Sequence, residues 1–292
     1  MLAVLLSLGA AITFSLSAMA VSATAGRVRI WQLGRWQMGI AFMLTSASAS
    51  YVGGWSTFQL WQFWFLAASS ATGIMLATTT YLAAIHAAGP RVTALLFSLA
   101  APFAVLEGWL FLDETLNPAQ LGGIGLILFG IVLAILAEQE PQPEDKPAKP
   151  LMVGVALGVV TAVGQATGSL LARPAMEAGV DPFAAMAIRS GLGGLFFVAL
   201  AIFPFARAAR LPEGRDLRNV SLSAFFGMFL GMCLMMAALA RGDVGIVSTL
   251  TSTTPILILP MIWLTTRRAP GLPAWIGAGL AVLGTALISL AA

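Results

Sequence analysis

Residues 138–150 read EQEPQPEDKPAKP, the only strongly polar stretch in a chain of 292 residues, and they fall near its middle. Their prolines remove backbone donors and their mixed charges favour water, so no helix continues through them; an extended, solvated linker is expected. On both sides the composition changes character. The whole chain is 59% hydrophobic and only 9% charged, where an ordinary soluble domain carries roughly a quarter charged residues. With a mean hydropathy of +0.92, water cannot be its main solvent.

A membrane-spanning helix needs about 20 mainly apolar residues. Apolar runs between charged or Pro/Gly-rich breaks predict ten spans, near 2–23, 34–53, 62–86, 91–112, 118–137, 151–173, 183–205, 219–240, 244–265 and 273–291. No separate soluble domain remains. The first run lacks a basic start and exceeds the roughly 7–15 apolar residues of a signal peptide, so it reads as a span.

The central linker prompts a search for repetition. A shift of 153 or 154 residues sets Arg35 on Arg189, Gly39 on Gly193, Ala71 on Ala224, Met75 on Met228, Gly89 on Gly242, Pro102 on Pro255 and Gly123 on Gly277. Matches of Arg, Pro and spaced Gly at a near-constant offset indicate duplication. The expected organisation is a five-helix repeat over 1–137, a linker over 138–150 and a second repeat over 151–292. An odd number of spans per copy inserts the copies in opposite senses, giving an all-α membrane fold of two inverted repeats.

Lys and Arg fix the expected orientation. Twelve (Arg27, Arg29, Arg35, Arg91, Lys146, Lys149, Arg207, Arg210, Arg215, Arg218, Arg267 and Arg268) fall on one side against three (Arg173, Arg189 and Arg241) on the other. The linker is then cytoplasmic and both termini outside. A net charge of +3 scattered at span ends forms no basic stripe and excludes nucleic acid as a partner.

The segment AAIHAAGPRVTALLFSLAAPFAVLEGWLFLDETLNPAQLGGIGLILFGIVL from Ala83 has a small-residue helix, a Pro-centred helix, a Glu turn and a glycine-rich helix. AALARGDVGIVSTLTSTTPILILPMIWLTTRRAPGLPAWIGAGLAVLGTALI from Ala237 repeats it. The chain resembles the drug/metabolite transporter superfamily, specifically its EamA-type ten-helix exporters, on Pro102, Glu114, Gln120, Gly123, Pro255, Gly277 and Gly284. It departs from the pattern in offering Arg267 where a Glu is usual, and in lacking the Trp-Gly opening of each half. The resemblance implies ten helices around a central cavity that opens alternately to the two sides, and export of amino acids or related metabolites across an inner (plasma) membrane.

Ionisable or amide groups inside a membrane mark function, structure or both. Glu107, within an apolar run, binds a proton or amino group, or else bonds a neighbouring helix or lies near the headgroups. Gln165 must face a partner or a cavity, since an unpaired amide in hydrocarbon costs several kcal/mol. Tyr81 and Thr78 in the third span, Ser98 in the fourth, and Thr251 and Thr254 in the hydroxyl-rich ninth complete the candidate substrate-binding set; for the hydroxyls of the ninth span, bonding back to helix carbonyls is the alternative. Pro102 and Pro255 are candidate hinges, each freeing a carbonyl one turn earlier.

Other residues have structural alternatives. Trp61 and Trp64 fit an interfacial belt or an aromatic wall, and Met228, Met232, Met235 and Met236 fit packing or an adaptable pocket lining. Arg35 and Arg189 fit anchoring or a carboxylate clamp. The glycine rows from Gly122 and Gly277 fit close packing between repeats or between protomers, leaving monomer and homodimer open.

One His (His86) and one Cys (Cys233) make no common metal cluster and no disulfide. No glycine row carries a Walker lysine. No cofactor is expected. A secondary transporter of small metabolites is the leading expectation; an intramembrane enzyme, a channel or a lipid flippase are the alternatives.

Overall fold

The computed structural model describes residues 1–24, 27–137, 151–207, 211–266 and 271–291. The expected linker, together with Arg267 and the side chains of His86 and Pro255, lies outside the described residues. All regular elements among the described residues are helical: α1 (Leu2–Ser22), α2 (Ile30–Val52), α3 (Leu60–Ser70), α4 (Ala77–Phe97), α5 (Ala100–Leu112), α6 (Pro118–Ala137), α7 (Leu151–Glu177), α8 (Pro182–Ala199), α9 (Gly214–Ser223), α10 (Met232–Leu239), α11 (Val244–Thr251), α12 (Thr254–Thr266) and α13 (Leu272–Leu290). Helices satisfy their own backbone groups, which hydrocarbon requires.

Among the described residues, five stretches are long and apolar enough to cross a bilayer: Leu2–Ser22, Leu60–Ala84, Met152–Glu177, Pro182–Ile202 and Gly214–Leu239. Local chemistry sets several ends. Asp181 accepts from the N–H groups of Phe183 and Ala184 at 3.0 and 3.1 Å and is followed by Pro182, which opens α8. Gly53, at φ 72°, closes α2 in a conformation that favours glycine.

Three expected boundaries move. α7 continues past residue 173 through Pro174, because Arg173 donates to the carbonyls of Leu239 and Gly242 and pairs with Glu177 at 2.7 Å. The expected break near residues 87–90 is absent from the helical hydrogen bonding of α4. The chain reverses there all the same: the Cβ positions of Gly164 and Gly154 meet Ala77 and Ala88, whereas that of Gly158 meets Leu96. Glu107 then reaches Thr167. Finally, the fourth and ninth expected spans are each discontinuous. α4 ends at Phe97 and α5 begins at Ala100; α11 ends at Thr251 and α12 begins at Thr254. Each break lies within a turn before a proline, Pro102 or Pro255, which has no N–H for the carbonyl four residues earlier.

Corresponding helices of the halves pass in opposite directions. On α2 and α8, a Cβ at Gly34 meets Phe197 and one at Gly191 meets Phe42. On α6 and α13, a Cβ at Gly123 would lie 2.7 Å from Gly284 O, and Gly130 sits against Gly277. The glycine rows therefore pack one half on the other. First and third helices exchange partners reciprocally: α1 packs on α10, with Gly9 against Leu234, and α7 packs on the α3–α4 segment, with Gly168 against Gly73. Both third helices also contain a π-helical stretch, Ala71–Leu76 and Ala224–Gly231, at the same place under the 153-residue offset.

Charges separate to the two ends of the bundle. Arg27 pairs with Asp216 at 2.8 Å, and Arg29 reaches the Arg207 carbonyl at 3.2 Å, at one end. Arg173, Glu177, Glu114 and the start of α11 share the other.

Candidate functional site

A cavity of about 450 Å³ lies among the helices where the two discontinuous segments meet α1, α7 and α10. The first half contributes Phe14 and Ala18 from α1, Tyr81 and Phe97 from α4, Ser98 from the break and Ala100 from α5. The second half contributes Gln165, Ala166 and Ser169 from α7, Met228 from the π-helical stretch, and Met232 and Met235 from α10. Ser248, Thr251, Ser252, Thr254 and Ile258 complete it from α11, the second break and α12.

Ser98, Thr251, Ser252 and Thr254 sit at or beside the two helix breaks and line the cavity. Their hydroxyls are partly committed to backbone: Thr251 donates to the Val247 carbonyl at 2.9 Å, Ser252 to Ser248 O at 2.8 Å and Thr254 to Thr251 O at 2.8 Å. Each hydroxyl oxygen keeps acceptor capacity. Ser15 on α1 donates to Thr254 O at 3.1 Å and ties the second break to the opposite half.

Gln165 differs from these. Its side-chain amide makes no hydrogen bond to the described protein, and it lines the cavity, so two donors and an acceptor face the open space. Tyr81 presents its ring beside Phe97, with centroids 5.6 Å apart in an edge-on arrangement. No charged side chain lines the cavity among the described residues. It is a site with an amide, hydroxyls, aromatic edges and adaptable thioethers.

Of the candidates from the sequence, Tyr81, Ser98, Gln165, Thr251 and Thr254 come together here; Thr78 and Glu107 are not among the lining residues. Glu107 lies on the far side of α7, where its Oε1 accepts from Thr167 Oγ1 at 2.8 Å and its Oε2 is buried without a partner. Thr167 is two positions from Gln165 and Ser169, so a helix that turns those two inward turns Thr167 away. Thr78 is half-buried on α4, three residues before Tyr81. Pro102 sits in the first turn of α5, where a missing N–H is tolerated, just after the first break.

Arg35 and Arg189 do not form a clamp. Arg189 is fully buried, with Nη1 3.2 Å from Met236 Sδ, whereas Arg35 faces a separate groove on the outside of the bundle. Trp61 and Trp64 are exposed outward, consistent with an interfacial belt. Met228, Met232 and Met235 line the cavity, and Met236 packs in the core. The sequence reading missed Phe14, Phe97 and Ser169. Ser169 was findable, one helical turn beyond Gln165, but nothing in the sequence separated Phe14 from other apolar residues of α1.

The family model of the EamA-like transporter family matches residues 1–136 and again residues 152–290. The chain belongs to the EamA-like transporter family. It is thus a multi-pass membrane transporter of the drug/metabolite type, with a small-molecule substrate and membrane lipid as its partners. No curated protein matches this EamA-like chain. A solved crystal structure, described only as that of a protein, is 22% identical with a TM-score of 0.84 over 99% of this chain and 96% of its own. At that identity the likeness establishes a shared EamA-like fold and nothing about cargo.

Proposed function

We propose that this EamA-like protein is a secondary exporter of amino acids or related small metabolites in the inner (plasma) membrane, working by alternating access. In this reading ten passes form two inverted five-helix repeats, 1–137 and 151–292, joined by a cytoplasmic linker. The family match to each half, the opposed directions of α2 and α8 and of α6 and α13, and the separation of charge between the two ends support it.

The observation that carries the reading is the cavity at two helix breaks, one from each half, with Gln165 presenting an uncommitted amide. A movement about Pro102 and Pro255 changes access to that space from opposite ends. An uncharged lining suits a cargo with no net charge: the amide and hydroxyls take its polar groups, and Phe14, Phe97 and the three methionines take an apolar side chain. Glu107 acts through Thr167 on α7, the helix that carries Gln165, and its buried free oxygen is a place for an exchanged proton.

Proteoliposomes loaded with radiolabelled neutral amino acids and related metabolites, with and without a pH gradient, test the proposal. Native protein gives saturable flux of at least one such solute. Gln165→Leu lowers it about tenfold or more, the worth of one hydrogen bond to a charged group, with folding retained. Glu107→Gln changes the response to the pH gradient. Flux of none of these solutes, or flux untouched by Gln165→Leu, contradicts the assignment.

A further inference from the structure

A second space of about 450 Å³ lies outside the bundle, between α2 and α8, and plays no part in the central cavity. Its walls include Arg35, Gly39 and Phe42 on one helix and Gly191, Gly194 and Val198 on the other. Phe42 is 45% and Val198 60% exposed, so the groove opens toward the bilayer. Glycines make the concavity: a Cβ at Gly39 would meet nothing within 4 Å.

The groove runs from Arg35 at one end to Trp55 and Phe63 at the other, long enough to take one extended acyl chain. Along α8 its lining runs from Ala187 to Val198, a rise of about 16 Å at 1.5 Å per residue. Because α2 and α8 are antiparallel here, with Gly34 against Phe197 and Gly191 against Phe42, Arg35 stands at the Val198 end. That end is at headgroup level. Trp31, Phe203 and Phe205 cluster there with ring centroids 5.7 Å apart in successive pairs, as aromatic residues do at a membrane interface.

The same end carries uncompensated positive charge. Arg35 Nη2 donates to Ala206 O at 2.6 Å, Arg29 Nη1 to Arg207 O at 3.2 Å and Arg207 Nη2 to Ile202 O at 3.2 Å. These bonds go to carbonyls, and none of the three arginines forms an ion pair among the described residues; Asp216 at this end is engaged by Arg27.

We propose that this groove binds one anionic phospholipid of the adjoining leaflet, with an acyl chain along the glycine-lined wall and the phosphate on Arg35. A guanidinium matches phosphate oxygens with paired donors, and the groove supplies the close dispersion contacts that hold a chain where hydrocarbon surrounds everything. The site is independent of the cargo cavity and stands or falls without it.

Native mass spectrometry of the full chain in detergent, titrated with phosphatidylglycerol and with phosphatidylcholine of the same acyl chains, tests the site. Phosphatidylglycerol binds more tightly to the native protein. Arg35→Gln lowers that preference about fivefold, the worth of one cation near an anionic surface, and Arg35→Lys restores most of it. Gly39→Leu fills the open groove and removes the tight binding of both lipids, while thermal stability and helicity match the native protein. Unchanged lipid binding in both Arg35→Gln and Gly39→Leu overturns the proposal. So does a dimer that Gly39→Leu dissociates, because a second copy would then be the occupant.

Discussion

An amide or a carboxyl among apolar helices needs a partner or an open space, and Gln165 and Glu107 meet that demand in different ways. Gln165 stood out as an amide in an apolar run, and it lines the cavity. Glu107 stood out for the same reason, yet it faces Thr167, because composition does not tell which way a helix is turned when apolar residues surround it on every face. Glu114 carries part of the resemblance in the sequence, but its partner is legible only in the fold. Asp113, left-handed at φ 52°, closes α5 and swings Glu114 across to α11, where its Oε1 accepts from the Val244 N–H at 2.8 Å. A carboxylate at a helix N-terminus satisfies otherwise unpaired donors. Glu114→Ala should therefore lower stability by about 1 kcal/mol, the typical worth of an N-cap, read as a fall in melting temperature in detergent. Burial raises the Glu114 carboxyl above its ordinary value, and Asp243 adds to the rise, while the Val244 and Gly245 N–H groups and Arg173 oppose it. Because the folded state holds this proton more tightly than the unfolded chain, the linked stability is fully present at low pH and is lost as pH rises through the raised folded-state value. Measured against Glu114→Gln, which cannot ionise, the native protein loses relative stability as pH increases.

At the scale of elements, candidate hinges at Pro102 and Pro255 were readable, because a missing N–H acts wherever the chain goes. That these two would separate one helix from the next was not readable, since α7 runs through Pro174 and α12 through Pro260 unbroken. The π-helical stretches at Ala71–Leu76 and Ala224–Gly231 were not readable: one extra residue in a turn changes neither composition nor hydropathy. Their equivalence was hidden in the alignment of Ala71 with Ala224. The glycine rows were legible as packing faces, but whether they met another half or another copy was open until α6 and α13 were seen together. Helices in hydrocarbon associate through such close contacts because no hydrophobic effect drives them together. Substitution at Gly123 and Gly125 separates the contact from helix propensity. A Cβ at Gly123 would stand 2.7 Å from Gly284 O and from Ile288 Cγ1, whereas one at Gly125 meets nothing within 4 Å. Gly123→Ala should cost about 1–3 kcal/mol through overpacking, and Gly125→Ala should be neutral or stabilising by about 0.5–1 kcal/mol. Thermal denaturation of the two variants side by side checks both signs.

For the whole molecule, the duplication was visible in the near-constant offset, since Arg, Pro and spaced Gly rarely coincide by composition alone. Reciprocal packing was not: nothing in the sequence says that α1 lies on α10 and α7 on the α3–α4 segment. That exchange places parts of both halves around a single space, so relative motion of the halves acts directly on the cavity. The proposed alternating access requires that space to open to each side in turn. Ser248 lines it, and Cys233 is the one native thiol. The decisive measurement is labelling of Ser248→Cys in a Cys233→Ala background by a membrane-impermeant maleimide, in right-side-out and inside-out vesicles. Labelling from both faces is the predicted result; labelling from one face only, or from neither, whether or not excess solute is present, would contradict it.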